Sequence, residues 1–515
     1  MLKPQDQIDD KDLAKGLRSL MIDGTASTIM GSLTGGAFLV TYALLLGASN
    51  LAIGLIAAAA PLSQVMQIPA IFMIEKLRLR KRIVVLFSAA GRSFLLVCAL
   101  LPFINYPQYR VHIFVLALFL YNALGSISAC AWNSWMHDLI PQSIMGRFFG
   151  KRLAVSTAFA AFLSLGAGVW IDYSLGPDGG TFTYSIFFAF GAFCGLVSSY
   201  FLSRIPEPHI TTHHVERLIP MLAKPFRDNN YRRLIIFLAV WNFAVNLAAP
   251  FYTVYMIKQL SIPLGWIIGL SVLSQAINVV FFNIWGKLAD RFSNKSCLTV
   301  AGPLFIIGIG IWPFLTLPDK HVLTMPLLIL IHVLSGISTA GVTLCSSNIA
   351  LKAAPKGQAT VFLATNSLVN GIAACIAPIL AGFASDYLQN EQLKMNLTWH
   401  SATTGNDLFN FSALDFQGTD FLFVFAFIVG LYAIHRLLAV TEQGDVTERI
   451  VITELYQETR HALRSVANIA GLRHMTYFPY AIIVGALDHS RKGIGHIKKK
   501  VRRQGSRPAT ARHEH

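Results

Sequence analysis

The chain is 515 residues long, 54% apolar and only 13% charged, with a mean hydropathy of +0.54, whereas ordinary soluble domains are about 25% charged. A water-soluble enzyme is nearly excluded, and there is apolar sequence for on the order of a dozen membrane spans of about 20 residues each. The formal net charge of +16 would point to nucleic acid in a soluble chain, but in a membrane chain it reads as orientation charge on cytoplasmic loops, and no nucleic-acid partner is expected.

Residues 1–19 are charged, with Asp9, Asp10, Lys11 and Asp12 ahead of an apolar run of full span length, so they read as a cytoplasmic N-terminal segment and not a cleaved signal peptide. Apolar runs bounded by charges or turn residues then predict six spans within 20–203, near 20–46, 52–73, 83–104, 111–136, 152–172 and 182–203. A Pro-, His- and Arg-rich cytoplasmic linker over 204–232 divides them from a second set within 233–440. Those six lie near 233–257, 264–286, 296–316, 324–350, 358–385 and 419–440. The loops read as cytoplasmic carry Lys76, Arg78, Arg80, Lys81 and Arg82, then Arg147, Lys151 and Arg152, then Lys287, Arg291 and Lys295. The opposite loops carry single bases such as Arg110, Lys258, Lys320 and Lys394, so both termini are expected in the cytoplasm. The exterior stretch 386–418 reads as a long polar loop, with a sequon at Asn396 that matters only in a eukaryotic secretory pathway. The basic tail, 441–515, reads as cytoplasmic. Its segment 446–469 is amphipathic and the run at Lys498, Lys499 and Lys500 would attract anionic lipid. The six cysteines stand singly in or beside apolar runs, so neither disulfides nor a metal site is expected.

Four matches in chain order relate the two sets of spans at a nearly constant offset of about 213 residues. Leu62-Ser63-Gln64 returns as Leu273-Ser274-Gln275, and Cys130 with Asn133 before Pro141 returns as Cys345 with Asn348 before Pro355. Trp170-Ile171-Asp172-Tyr173 corresponds to Ala384-Ser385-Asp386-Tyr387, and Phe38 and Tyr42 correspond to Phe251 and Tyr255. Two homologous six-span halves follow. The loop Gly286-Lys287-Leu288-Ala289-Asp290-Arg291-Phe292-Ser293-Asn294-Lys295 resembles the G-x-L-A-D-R-x-G-x-K loop of the major facilitator superfamily, with Ser293 at the second glycine. Asp138-Leu139-Ile140-Pro141 followed by Gly146-Arg147 resembles the same superfamily. The first-half copy departs from the pattern, keeping Glu75 and its basic flank but having Ile71 at the glycine position. The resemblance implies an all-α membrane fold of twelve helices in two pseudo-symmetric halves, and alternating access to a midplane site. It also implies a gate in which Asp290 faces the start of span 5 near Arg147, and Glu75 the start of span 11 near Gly357. A carboxylate there would accept from the free N–H groups of a helix N-terminus.

If spans 1, 4, 7 and 10 line the cavity, as the resemblance implies, polar side chains at mid-depth are candidates for the substrate. Gln64 and Gln67 share a face of span 2, as do Gln275 and Asn278 on span 8, Asn242 and Asn246 on span 7, and Asn366 and Asn370 on span 11. Tyr121 with Asn122, Trp132 and Trp241 supply further polar and aromatic walls. The alternative for each is an interhelical hydrogen bond worth about 0.6 kcal/mol. A charge in the hydrocarbon costs about 2.5–3.5 kcal/mol and so marks function. Asp23 is the expected proton-coupling residue, with His332 as a second titratable group, while Arg92 is expected to have a structural role on an outer helix. Asp172 and Asp386, at exterior span ends, are expected to cap or pair.

These residues predict a monomeric secondary transporter of a bacterial inner membrane, moving a small solute with protons or another coupling ion. The scarcity of cavity charge leans toward efflux. No cofactor is expected, and no nucleotide-binding G-x-x-x-x-G-K-[ST] loop is present. An enzyme is not expected, because no two histidines share a membrane helix face with an acid. The alternatives are a sensor that keeps the transporter fold and signals through its tail, and an uptake facilitator without ion coupling.

Overall fold

In the computed structural model the described residues are Gln5, 8–140, 142–174, 181–208, 223–316, 320–355, 359–400 and 407–467. Span 1 is two helices, Asp10–Thr34 and Gly36–Leu45. It starts well before the apolar run because Asp9 caps it, and because Leu13, Leu17 and Leu20 pack toward Trp135 and Val84. It breaks at Gly36, whose φ of 53° suits glycine. Span 2 is Asn50–Ser63 and Gln67–Leu77, joined by a tight turn over Gln64–Met66 just after Pro61. Spans 3 to 6 are Arg80–Leu100, Pro107–Leu139, Gln142–Ser174 and Thr181–Leu202. Spans 7 to 12 are Asn229–Lys258, Leu264–Arg291, Asn294–Ile311, Thr324–Ala353, Ala359–Leu388 and Asp420–Leu438. Among the described residues eleven spans are long and apolar enough to cross a membrane, and the apolar stretch of the twelfth, span 5, is Val155–Ile171.

Within the first half span 1 packs on spans 5 and 6, and span 4 on spans 2 and 3. In the second half span 7 packs on spans 11 and 12, and span 10 on spans 8 and 9. The aromatic cores repeat as the offset predicts. The Tyr42 hydroxyl donates to the Cys98 carbonyl of span 3 at 2.8 Å, with the ring against Phe114, Tyr184 and Phe188. Tyr255 lies 3.1 Å from the Thr316 hydroxyl, its ring against Trp312 and Phe423. Each tyrosine thus ties the first span of its half to the third and sixth.

The halves meet along spans 2 and 11 and along spans 5 and 8. The seam is tightest where span 2 begins and span 11 ends. A Cβ on Gly54 would stand 2.1 Å from the Pro378 carbonyl oxygen, and one on Gly382 would stand 2.5 Å from that of Asn50, so only glycine lets these backbones touch. Past its turn, span 2 leaves span 11: Gln67–Leu77 packs on span 4 instead. Among the described residues the halves are therefore closed at one end and parted at the other, the end where span 1 begins and span 12 finishes.

The closed end carries a hairpin where the sequence predicts a polar loop. Strand β1, Gln392–His400, pairs antiparallel with β2, Asp407–Gln417. The alternation of Leu393, Met395, Leu397 and Trp399 with Lys394, Asn396 and Thr398 was a legible strand signal. Asp415 accepts from Gln392 at 2.7 Å and pairs with Lys394 at 3.4 Å. Burial alone would push its carboxyl up, but these contacts and the Gln417 amide outweigh it and hold the group below the ordinary carboxylate value.

The chain after span 12 does not leave the bundle at once. Glu442 accepts from Asn294 at 2.7 Å and from the Lys295 N–H at 2.8 Å, and Asp445 accepts from Ser293 at 2.6 Å and Lys295 at 2.8 Å. The two carboxylates cover the N-terminus of span 9, where free N–H groups favour an anion. From Arg449 the chain is a separate unit beginning with the helix Glu448–Ala467. Lys498, Lys499 and Lys500 lie outside the described residues.

Candidate substrate site

Spans 1 to 6 enclose a cavity of about 440 Å³ in the first half, lined by Asp23, Gln64, Arg92, Tyr121, Asn122, Trp132 and Arg152 among others. Asp23 is 3% exposed. Its Oδ2 accepts from Arg152 Nη2 at 3.0 Å and its Oδ1 from the Ser198 hydroxyl at 2.5 Å. Arg152 also donates from Nε to the Leu20 carbonyl at 3.0 Å and lies 5.5 Å above the Trp132 ring. Gly24 makes room for it, since a Cβ there would stand 2.2 Å from Arg152 Nε. Arg92 reaches in from span 3 and donates through Nη1 to the Gly195 carbonyl at 2.8 Å and the Ser199 hydroxyl at 2.7 Å. Gly195 is the matching gap, where a Cβ would stand 3.0 Å from Arg92 Cδ. One carboxylate thus faces two guanidiniums, all drawn from different spans.

The sequence predicts Asp23, Gln64, Tyr121 and Asn122 for the site, and the fold brings these four together. Gln67 bonds to Gln64 but is only half-buried and does not line the cavity. The second-half candidates do not line this cavity. Asn242 and Asn246 bond back to the carbonyls of Leu238 and Asn242 on their own helix. Trp241 is 6% exposed and packs against Phe237 and Phe305. Asn278 reaches the Gly336 carbonyl of span 10 at 3.4 Å. Asn366 and Asn370 each bury an amide oxygen that has no hydrogen bond among the described residues. His332 is buried, its Nδ1 2.8 Å from the Leu328 carbonyl. Gln275 lines a smaller space of about 370 Å³ with Thr28 and Thr157, between spans 1, 5 and 8.

Two charged residues line the cavity beyond those the sequence predicts for the site. The sequence places Arg152 at the boundary between a cytoplasmic loop and span 5, but the helix begins at Gln142, so Arg152 lies well inside it. Arg92 was expected to be structural. It does bind a carbonyl, but it also lines the cavity.

The expected gate is only partly within view. Helix continues through Gly286, Asp290 and Arg291, so the motif is the last turns of span 8 and the bend falls at Phe292 and Ser293. A Cβ on Gly286 would meet only Leu344 Cδ2, at 3.8 Å. Asp290 is exposed and has no hydrogen bond or ion pair among the described residues. Arg291 stacks over Phe292 at 5.3 Å. The side chains of Glu75, Arg147 and Asp172 and all of Gly357 lie outside the described residues. At the closed end Asp386 does cap, and it does so across the two halves: its oxygens accept from the Asn50 N–H at 3.0 Å and the Leu51 N–H at 2.8 Å. Ser49 supplies the remaining cap, accepting from the Ala52 N–H at 3.2 Å.

A bundle of twelve spanning helices in two equivalent halves, with a buried charged cavity and one end parted, is the architecture of a solute transporter. A sequence profile of the Major Facilitator Superfamily matches residues 22–378, and the chain belongs to that superfamily. A search of curated protein sequences gave no match. Among solved structures, the nucleoside transporter NupG superposes with a TM-score of 0.60 at 13% identity, covering 82% of this chain and 98% of its own. A POT family transporter in complex with 5-aminolevulinic acid gives 0.58 at 12%, covering 82% and 95%. A bacterial homologue of the iron transporter ferroportin in an inward-facing state gives 0.55 at 11%, covering 84% and 99%. At these identities the likeness is one of fold.

Proposed function

We propose that the protein is a secondary active transporter that moves a small solute by alternating access, with the first-half cavity as its solute site and Asp23 as its proton-coupling group. The observation that carries the reading is the Asp23–Arg152 pair, 3.0 Å apart in a cavity between the spans. Protonating Asp23 removes its attraction for Arg152 and frees a guanidinium for another partner. Deprotonation restores the pair, so proton binding and the state of the site are linked. On the asymmetry of basic loops the termini face the cytoplasm of a bacterial inner membrane, and the parted end is then the cytoplasmic one. Asp386 on the span 2 N-terminus is the exterior latch of this state. Asp290 and Glu75 are the corresponding latches of the opposite state. Three charged side chains in the cavity remove the ground for a lean to efflux, which was a site with few charges.

The test is transport by the reconstituted full chain of a solute selected by thermal stabilisation, since binding at a hundredfold excess over Kd stabilises by about 2.7 kcal/mol. An imposed pH gradient should drive accumulation. D23N should still exchange solute for solute but no longer accumulate it, and gradient-driven accumulation undiminished in D23N overturns the coupling assignment.

A further inference from the structure

The charges that line the cavity do not balance. Asp23 comes from span 1, Arg92 from span 3 and Arg152 from span 5, and Tyr121 from span 4 is the other titratable side chain at the wall. Ser198 and Ser199 face them from span 6. The single carboxylate is already engaged by Arg152 and Ser198. Arg92 has only neutral acceptors, a carbonyl and a hydroxyl, and both are taken by Nη1. Its Nε and Nη2 make no hydrogen bond among the described residues, nor does the Tyr121 hydroxyl, which lies within the electrostatic reach of Arg92. Arg92 is half-buried and lies in the field of Asp23, but its hydrogen-bond partners are all neutral, and a ligand carboxylate or phosphate would complete its planar fork. Gly195 leaves room for the stem of Arg92, and the two Nη1 hydrogen bonds hold one edge of the fork, so its other edge is oriented before a ligand arrives. The Trp132 face, Tyr121 and Met30 supply apolar wall for the rest of such a ligand.

We propose that the solute of this cavity is a small organic anion, its charged head bound by Arg92 within the field of Arg152 and its body lying against Trp132 and Tyr121. This rests on the transporter reading above and gives it a substrate class. Arg152 is occupied by Asp23 in the resting site and becomes a second anchor when Asp23 takes up a proton. A solute anion and the Asp23 carboxylate therefore compete for the same guanidinium, which ties anion binding to proton binding in one direction.

The experiment uses the full chain in detergent and ligand pairs in which one member carries an anionic head group and the other does not: benzoate against benzamide, gluconate against gluconamide, and uridine monophosphate against uridine. Thermal stabilisation and direct titration are read at millimolar ligand. At least one anion should stabilise the protein while its neutral partner does not, and the carboxylate and phosphate members separate the two head groups. R92Q should weaken that anion about tenfold or more, the loss of one charge-assisted contact, with the unliganded melting profile checking that it folds. R92K, which keeps the charge and loses the fork, should fall between. Stabilisation by the neutral partners as strong as by the anions overturns the proposal, as does a panel in which no anion stabilises, or an anion whose affinity R92Q and R92K leave unchanged. A neutral ligand that is nevertheless accumulated in proteoliposomes would overturn the anion class while leaving the transporter reading in place.

Discussion

Replacing Asp386 by alanine should open the end of the bundle that this structure holds shut. The Asp386 carboxylate accepts two backbone N–H groups at the start of span 2, from Asn50 at 3.0 Å and Leu51 at 2.8 Å, and these donors have no partner within their own helix. A hydrogen bond to a charged acceptor is worth about 1.5–3 kcal/mol when buried. Asp386 is only half-buried, so solvent screening brings the pair down to about 2 kcal/mol in total. At 1.4 kcal/mol per factor of ten, that is a shift of about 30-fold between the closed and open arrangements of this end. An open population of about one per cent would become about a quarter. Spin labels on Leu55 of span 2 and Phe383 of span 11, both exposed, in a background with the native cysteines replaced, would report the distance distribution by pulsed electron resonance. D386A should add a long-distance component and D386N, which keeps one acceptor oxygen, a smaller one. G382A tests the same seam by another route, because its new Cβ would meet the Asn50 carbonyl oxygen at 2.5 Å and Leu51 Cα at 2.8 Å, and backbone cannot swing away. Distance distributions in D386A indistinguishable from the parent protein would refute the assignment of Asp386 as a latch between halves.

R152A leaves the Asp23 carboxylate buried without its cation and should cost about 3 kcal/mol of stability, read from the unfolding midpoint. The double variant D23N with R152Q should recover most of that loss, and equal stability of R152A and the parent would remove the pair from the argument. The hairpin should depend on acidity. Because the Asp415 carboxyl sits below its ordinary value in the folded chain, its contribution is complete above about pH 4 and disappears as pH falls through the lowered value. Hydrogen exchange across 392–417 should therefore rise in acid in the parent, while D415N should already exchange fast and show no such step. Truncation of the tail should be tolerated after residue 448 but not at 441, since Glu442 and Asp445 cap the start of span 9. Identical melting temperatures for the two truncations would contradict the capping role.

Most of the scaffold was legible because its signals are local or repeated. A span announces itself by composition, and Tyr42 and Tyr255 announced the repeat because each half has the same buried tyrosine in the same place, bonded at or just past the end of its third span. Where reading by composition alone went astray, a second periodicity was present and unread. The alternation in β1 was masked by the expectation of a loop, and the start of span 5 was masked by its charges, which sit on a helix long enough to carry Arg152 inward. The asparagine pairs show the opposite failure. Shared helix faces were inferred correctly from spacing, yet Asn242 and Asn246 spend their amides on their own backbone.

What the sequence by itself determined was the medium, the number and order of the spans and the two halves, because burial in lipid constrains residue type along the chain. Tertiary structure alone decided which polar side chains share a cavity. Asp23 and Arg152 are neighbours only because Gly24 lets span 5 approach span 1, and Arg92 enters only because Gly195 leaves a gap in span 6. It also decided which end is closed, through a carboxylate at the end of span 11 meeting two N–H groups at the start of span 2. Such contacts join residues far apart in the chain, and their energy depends on distance in space, which no local pattern of residues encodes.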